Sequence, residues 1–214
     1  MIKGKGQKNS KKGKIMPNTN QKESLYLLNR RQLLGLPFAL SFAGAASAAA
    51  KIKIATVITA YHKISHADVI VGRLLEGYYI SDEWRVPGVQ VVSMYTDQVP
   101  DNDMSRDMAA KHDVKVYPTI RQALMMGTDD LAVEAVVLIG EHGKYPTNEK
   151  GQTLYPRHKL FKEIIEVFRE TGKSVPVFSD KHLSYSWEKA KWMYDQSVEL
   201  NFPLMAGSSL PVAS

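Results

Sequence analysis

Past residue 50 the apolar positions change period several times, and each change marks an element. Residues 52–58, Ile-Lys-Ile-Ala-Thr-Val-Ile, are a β-branched run of near-continuous apolar character. That pattern predicts a strand buried on both faces. Residues 67–78 carry Val69, Ile70, Leu74 and Leu75 at helical spacing, and residues 89–95 return to strand character, with Asp97 just past their end. Residues 103–112 read as a helix and 114–117 as a short strand stopped by Pro118. Thr119 is placed to cap a helix running to about Met126. Residues 135–140, Ala-Val-Val-Leu-Ile-Gly, are the most strand-like run in the chain. A loop over 141–155 follows, punctuated by Gly, Pro and Asn. Residues 156–171 form a strongly amphipathic helix with Leu160, Phe161, Ile164, Ile165 and Phe168 on one face, ended by Gly172. Residues 175–178 read as a strand, 186–200 as a helix and 204–206 as the start of a last strand.

Strand and helix thus alternate, with no internal repeat and no second domain. Right-handed crossovers then require a mostly parallel sheet with helices on both faces. The predicted fold is α/β and doubly wound, a single Rossmann-like domain over residues 49–214. In such sheets ligands bind in the crevice outside the carboxyl ends of the strands.

Charge separates the first fifty residues from the rest. The chain has 28 Lys+Arg and 22 Asp+Glu, a net charge of +6. Residues 1–50 hold seven lysines, Arg30 and Arg31 against the single acid Glu23, so the remainder is mildly acidic. A body of that sign argues against nucleic-acid binding. Residues 1–24 are polar and without apolar period, which predicts disorder. Arg30-Arg31 precede an uncharged run of small and apolar residues over 33–50, and Ala46-Ser47-Ala48 fits a small-x-small cleavage site. Residues 1–48 therefore read as a disordered n-region and export signal of twin-arginine type, not a retained anchor. They direct the chain to the periplasm or the exterior, and touch a membrane only through the signal. Twin-arginine export passes folded proteins, often loaded with a cofactor. Cysteine is absent, which excludes disulfides, cysteine nucleophiles and thiolate metal sites.

The strand-end rule collects the candidate chemistry. Tyr61, His62, Lys63 and His66 follow the first strand, and Asp97 and Gln98 the second. Glu141, His142, Lys144 and Tyr145 follow the fourth, and Asp180, Lys181 and His182 the fifth. Four of the six histidines fall in these segments, a mix suited to acid–base chemistry, sugar hydroxyls or metal ligation. His62 and His66 have i,i+4 spacing, but a helix starting at or after Ser65 need not align them, so with His142 they are expected to hold no metal. Asp97 is placed to accept hydrogen bonds from a ribose. Trp187, Trp192 and Met193, like Met125 and Met126, read as core packing. Tyr145 and Tyr155 read as surface tyrosines. The loop over 141–155 exceeds ordinary connection length, so it is a candidate lid, binding loop or oligomer contact, and a homo-oligomer is the expected assembly.

Several phrases resemble the N-terminal domain of the glucose–fructose oxidoreductase and inositol dehydrogenase (Gfo/Idh/MocA) family. They are residues 117–124 (Tyr-Pro-Thr-Ile-Arg-Gln-Ala-Leu), 129–139 leading into the fourth strand, Arg157-His158-Lys159, Gly172-Lys173-Ser174-Val175, Asp180-Lys181-His182-Leu183, Trp187-Glu188-Lys189-Ala190 and residues 203–207. Their order and spacing carry the resemblance over roughly residues 52–212. It implies an oxidoreductase acting on a sugar or cyclitol hydroxyl with NAD or NADP. Lys181 matches the lysine of the family's Glu-Lys-Pro phrase, which helps move the proton. Lys181 and His182 are therefore the catalytic candidates, and Tyr61, His62, Asp97, Glu141, His142 and Asp180 the cofactor-binding candidates. The sequence departs from the family in three places. No glycine stands between Thr59 and Gly72, where Gly-x-Gly-x-x-Gly belongs, and Asp180 and His182 replace the family's Glu and Pro. The sequence also stops after the sixth strand, without the family's second α/β domain. Three classes of function remain: an exported oxidoreductase, truncated here; a non-catalytic module binding a sugar or other polar ligand at the histidine-rich edge; and an interaction domain needing a partner.

Overall fold

The β-branched run at Ile52 becomes strand β1 (Ile52–Ile58) in a computed structural model that describes residues 50–207. The export-signal reading of residues 1–48 lies outside the described residues. After two exposed residues, five in succession are buried, as a central strand covered on both sides requires. Helix α1 (His66–Glu76) follows, capped by the Ser65 side chain. It stops at Gly77, whose φ of 91° only glycine adopts freely, so the helix expected over 67–78 is shorter and Tyr78 leaves it.

Tyr78 opens a hairpin the sequence pattern did not announce, β2 (Tyr78–Ile80) and β3 (Glu83–Arg85). Its two turn residues, Ser81 and Asp82, both have positive φ, as a tight hairpin turn demands. Tyr79 and Trp84 pack ring against ring across it at 4.9 Å.

The chain then returns to the sheet with β4 (Val89–Thr96), α2 (Ser105–Lys111), β5 (Lys115–Val116) and α3 (Ile120–Met125). Thr119 caps α3 by accepting the Gln122 N–H. Next come β6 (Ala135–Ile139), α4 (Arg157–Thr171) ending at Gly172 with φ 65°, β7 (Val177–Asp180), α5 (Trp187–Glu199) capped by Ser186, and β8 (Leu204–Gly207). Strand β7 begins two residues later than residues 175–178 suggested, because Pro176 has no N–H for the ladder. It consequently runs through Asp180.

The six strands pair in parallel in the order β5-β4-β1-β6-β7-β8. This is the doubly wound Rossmann order, with the direction of winding reversing between β1 and β6. Helices α3, α4 and α5 close a core on one face with Leu124, Leu138, Phe161 and Phe168; α1 and α2 close the other with Ile58, Val71, Met94 and Met108. Met125 and Met193 are core, as expected, and Trp192 packs against the first core. Trp187 is not, being 76% exposed at the start of α5. All described residues lie in one compact unit. No helix among them is long and apolar enough to cross a membrane.

Candidate functional site

The turn after β1 is built without glycine, and its own side chains do the work of shaping it. Tyr61 points inward and is fully buried among α1 and α2, which corrects its assignment to a cofactor. Burial raises its phenol far above the ordinary range, and its oxygen has no hydrogen-bond partner. Ile64 takes the left-handed conformation, φ 64°, and donates its N–H to Asp68 Oδ2 at 2.8 Å. Ser65 Oγ accepts the N–H groups of both His62 and Asp68 at 3.2 Å. Several amide donors at the start of α1 are therefore satisfied within the chain. The Asp68 carboxylate also answers the positive end of the helix.

Three histidines meet beside this turn. His142 follows β6 in the left-handed region, φ 70°. Its ring lies edge-on to His62 at 5.0 Å and tilted against His66 at 5.3 Å. Burial, then the charges of His62, His66 and Lys181, hold the His142 proton affinity below the usual histidine value, with Asp180 opposing. Its Nε2 is buried without a partner. His66 Nδ1 is hydrogen-bonded to Asp180 Oδ2 at 2.6 Å. Asp180 therefore faces α1 from the end of β7. No group of three or more His, Cys, Asp or Glu among the described residues is arranged to hold a metal ion.

Two clefts flank this cluster at the carboxyl ends of the strands. The first, about 380 Å³, is lined by Ala60, His62, Gln98, Pro100, Asn102 and Lys144. Gln98 clasps the loop after β6, accepting the Lys144 N–H at 2.8 Å and donating to the Lys144 carbonyl at 3.0 Å. The second, about 520 Å³, is lined by Glu141, Gln152, Tyr155, Arg157, His182 and Tyr185. Arg157 is 2% exposed, ion-paired with Glu141, and lies over the Tyr155 ring at 5.2 Å. Its Nη1 stands 3.4 Å from His182 Nε2. Burial, with the charges of Arg157 and Lys181, holds the His182 proton affinity down.

The expected residues thus divide. His62, His66, His142, Asp180 and Lys181 converge on the cluster, and Glu141 and His182 on the second cleft. Asp97 does neither. Its Oδ1 accepts the Tyr95 hydroxyl at 2.8 Å and its Oδ2 the Tyr145 hydroxyl at 2.7 Å. Each carboxylate oxygen accepts one tyrosine hydroxyl and keeps a second lone pair. Tyr145 is correspondingly half-buried, not a free surface tyrosine, and packs against Tyr155 at 5.8 Å. Arg157 is the main member of the site that sequence reasoning missed. It was legible only as the start of a helix.

No family model matches the chain, and no curated protein matches it. Solved structures do. The gentamicin A biosynthesis protein GenD2 in complex with NAD has 16% identity and a TM-score of 0.48, covering 73% of this chain and 34% of its own. A myo-inositol 2-dehydrogenase from Lactobacillus plantarum has 12% identity and a TM-score of 0.47, covering 73% and 36%. A Gfo/Idh/MocA family oxidoreductase from Vibrio cholerae has 18% identity and a TM-score of 0.46, covering 73% and 38%. The chain spans about a third of the length of these similar structures.

Proposed function

We propose that this chain is the nucleotide-side domain of an oxidoreductase that takes NAD or NADP and acts on a hydroxyl of a sugar or cyclitol. We also propose that residues 1–48 export it by the twin-arginine route. The observation that carries the first reading is the pair of clefts on either side of the β6 end, at the point where the sheet reverses its winding.

The first cleft suits an adenosine. Ala60, Val99 and Pro100 offer an apolar wall, while Gln98, Asn102 and Lys144 offer polar contacts and a charge for phosphate. The second cleft, lined by His182, suits the reacting end, and Lys181 is the next residue back in the chain. A bound nicotinamide supplies a hydride acceptor there. A lysine at that point stabilises the alkoxide that develops on the substrate.

The test is a thermal melt of the full chain with millimolar NAD⁺, NADH, NADP⁺ and NADPH. A ligand at about 100 times its dissociation constant adds about 2.7 kcal/mol. For a domain of this size that raises the midpoint by roughly 5–10 °C. The absence of a shift from all four removes the reading.

One specific observation favours a second reading, a module binding a single polar ligand. His142 and His62 stand over the start of α1, and Asp97 is bonded to two tyrosines. Tyr145→Phe separates the two readings. If Asp97 serves a ribose, freeing its Oδ2 enlarges the dinucleotide shift; if the ligand is a lone sugar, that shift stays absent while myo-inositol or glucose produces one.

A further inference from the structure

Helix α5 has two apolar faces, and the fold uses only one. Its inner face buries Met193, Gln196 and Ser197, and Trp192 packs against the core beside them. On the opposite side Trp187, Tyr194 and Val198 are 76%, 58% and 62% exposed, so no described residue covers them. With Lys191 they follow the spacing i, i+4, i+7, i+11, which lines one face of a helix. A surface helix ordinarily turns its polar side outward. An aromatic and aliphatic stripe on that side marks a surface that a partner covers.

The stripe also carries its own complement. Lys191 Nζ lies 2.6 Å from Asp195 Oδ2, and both side chains are half-exposed. The two charges sit near the middle of the helix, with Trp187 at one end and Val198 at the other. A two-fold axis crossing α5 between residues 192 and 193 runs two copies antiparallel. Residues equally far from the axis then face each other. Trp187 meets the partner's Val198, at both ends. Lys191 meets the partner's Tyr194 and the partner's Asp195, so an ammonium faces a ring and a carboxylate, again twice. A stripe that holds one charge of each sign about its centre, between apolar ends, matches itself.

We propose that the outer face of α5 is a homodimer surface, on which a second copy of this chain docks antiparallel with Trp187 as the anchor. Aromatic anchors carry most of the energy of such surfaces, and the charges set register and partner choice. Helix α5 has 13 residues and spans about 20 Å, so the interface is small and the dimer is reversible. The proposal gives the homo-oligomer expected from the sequence a surface on α5, not on the loop over 141–155. It needs no nucleotide. It does bear on the second cleft: the partner's Val198 comes to Trp187, two residues past Tyr185, which lines that cleft.

The test is sedimentation velocity of the full chain over a loading series from micromolar to millimolar. The parent is expected to pass from monomer to dimer across the series. Lys191→Asp sets acid against the partner's Asp195, and Asp195→Lys sets base against the partner's Lys191. Each variant alone is expected to raise the dimer dissociation constant about tenfold, the equivalent of about 1.4 kcal/mol. An equimolar mixture of the two restores both cross-pairs and is expected to return to the parent value. Both positions lie on the solvent side of α5, so the melting midpoint is expected to stay within about 2 °C of the parent. A parent that remains monomeric overturns the proposal. So does association that is unchanged in the single variants, since it then uses another part of the chain. A mixture as weak as its components overturns the antiparallel docking.

Discussion

Removing the Glu141 carboxylate tests what holds the second cleft together. Arg157 is 2% exposed, and Glu141 is its ion-pair partner. The arginine stem fills space that Gly140 leaves open, since a Cβ at Gly140 would stand 2.4 Å from Arg157 Cγ. Glu141→Ala therefore leaves a guanidinium buried with only the Tyr155 face, His182 and the more distant Asp180 charge around it. Breaking one side of a buried pair costs about 3–5 kcal/mol. Because the Glu141 side chain is 18% exposed, water reaches part of the gap and the lower figure applies, about 3 kcal/mol. At roughly 2–4 °C per kcal/mol the melting midpoint falls by roughly 6–12 °C. Urea unfolding gives the same quantity directly, provided its slope is unchanged. The double variant Glu141→Gln with Arg157→Met removes both charges and is expected to return to within about 1 kcal/mol of the parent. A loss below about 1 kcal/mol for Glu141→Ala alone would refute the reasoning. Arg157 would then be satisfied by water or by Asp180, and the pair would not be what shapes the cleft.

Acidification should destabilise the fold. His142, His158 and His182 all have folded-state proton affinities held below the ordinary value of 6.5, chiefly by burial. The unfolded chain then binds protons that the folded one refuses, so stability is present above pH 6.5 and falls as pH drops below it. The urea midpoint across that range measures this, and His142→Gln should flatten the slope; a midpoint that stays level in the parent counts against the burial argument. Gly143→Ala should cost about 1–3 kcal/mol, because φ is +99° there and the added Cβ meets Tyr145 Cε2 at 2.8 Å. It should also reduce any nucleotide-induced shift by opening the Gln98 clasp. Lys181→Ala should leave the melting midpoint within about 1 °C, since the residue 181 N–H bond to the Gly207 carbonyl survives, and on the proposed oxidoreductase reading it should abolish any turnover. Unchanged turnover removes Lys181 from the mechanism.

Much of the architecture was legible because its signals are long and redundant. Strands β1 and β6 are β-branched runs buried on both faces, and α4 carries a complete apolar stripe that Gly172 ends. Thr119 announces its helix by cap chemistry. The hairpin was not legible, because it is short, exposed and turned by Ser81-Asp82 without a glycine. The gathering of His62, His66, His142, Lys181 and His182 was legible for a different reason. In a parallel sheet the loops at the carboxyl ends converge whatever their separation in sequence. What strand-end position does not reveal is the direction of each side chain. Alternate residues face opposite sides of the sheet, so one residue of register moves a carboxylate from one face to the other. Asp97 joins Tyr95, which packs on the α4 face, whereas Asp180 follows Phe178, which packs on the α1 face. Two carboxylates placed by the same rule therefore have opposite fates: one is tied to tyrosines and the other orients a histidine.

The segment after β6 joins these parts. Glu141 turns into the second cleft, His142 into the histidine cluster, and Gly143 and Lys144 into the first cleft. Successive residues can serve three places because His142 and Gly143 both adopt positive φ, which turns the backbone sharply at the β6 end. Thr59 fixes the same point by donating its hydroxyl to the Glu141 carbonyl, so the turn after β1 and the segment after β6 are held as one unit. A ligand lying along the strand ends from the first cleft to the second must pass His142. A ligand confined to one cleft need not. The two functional readings therefore differ physically at one side chain. The left-handed turn at His142 and Gly143 is what aims that side chain at the histidine cluster.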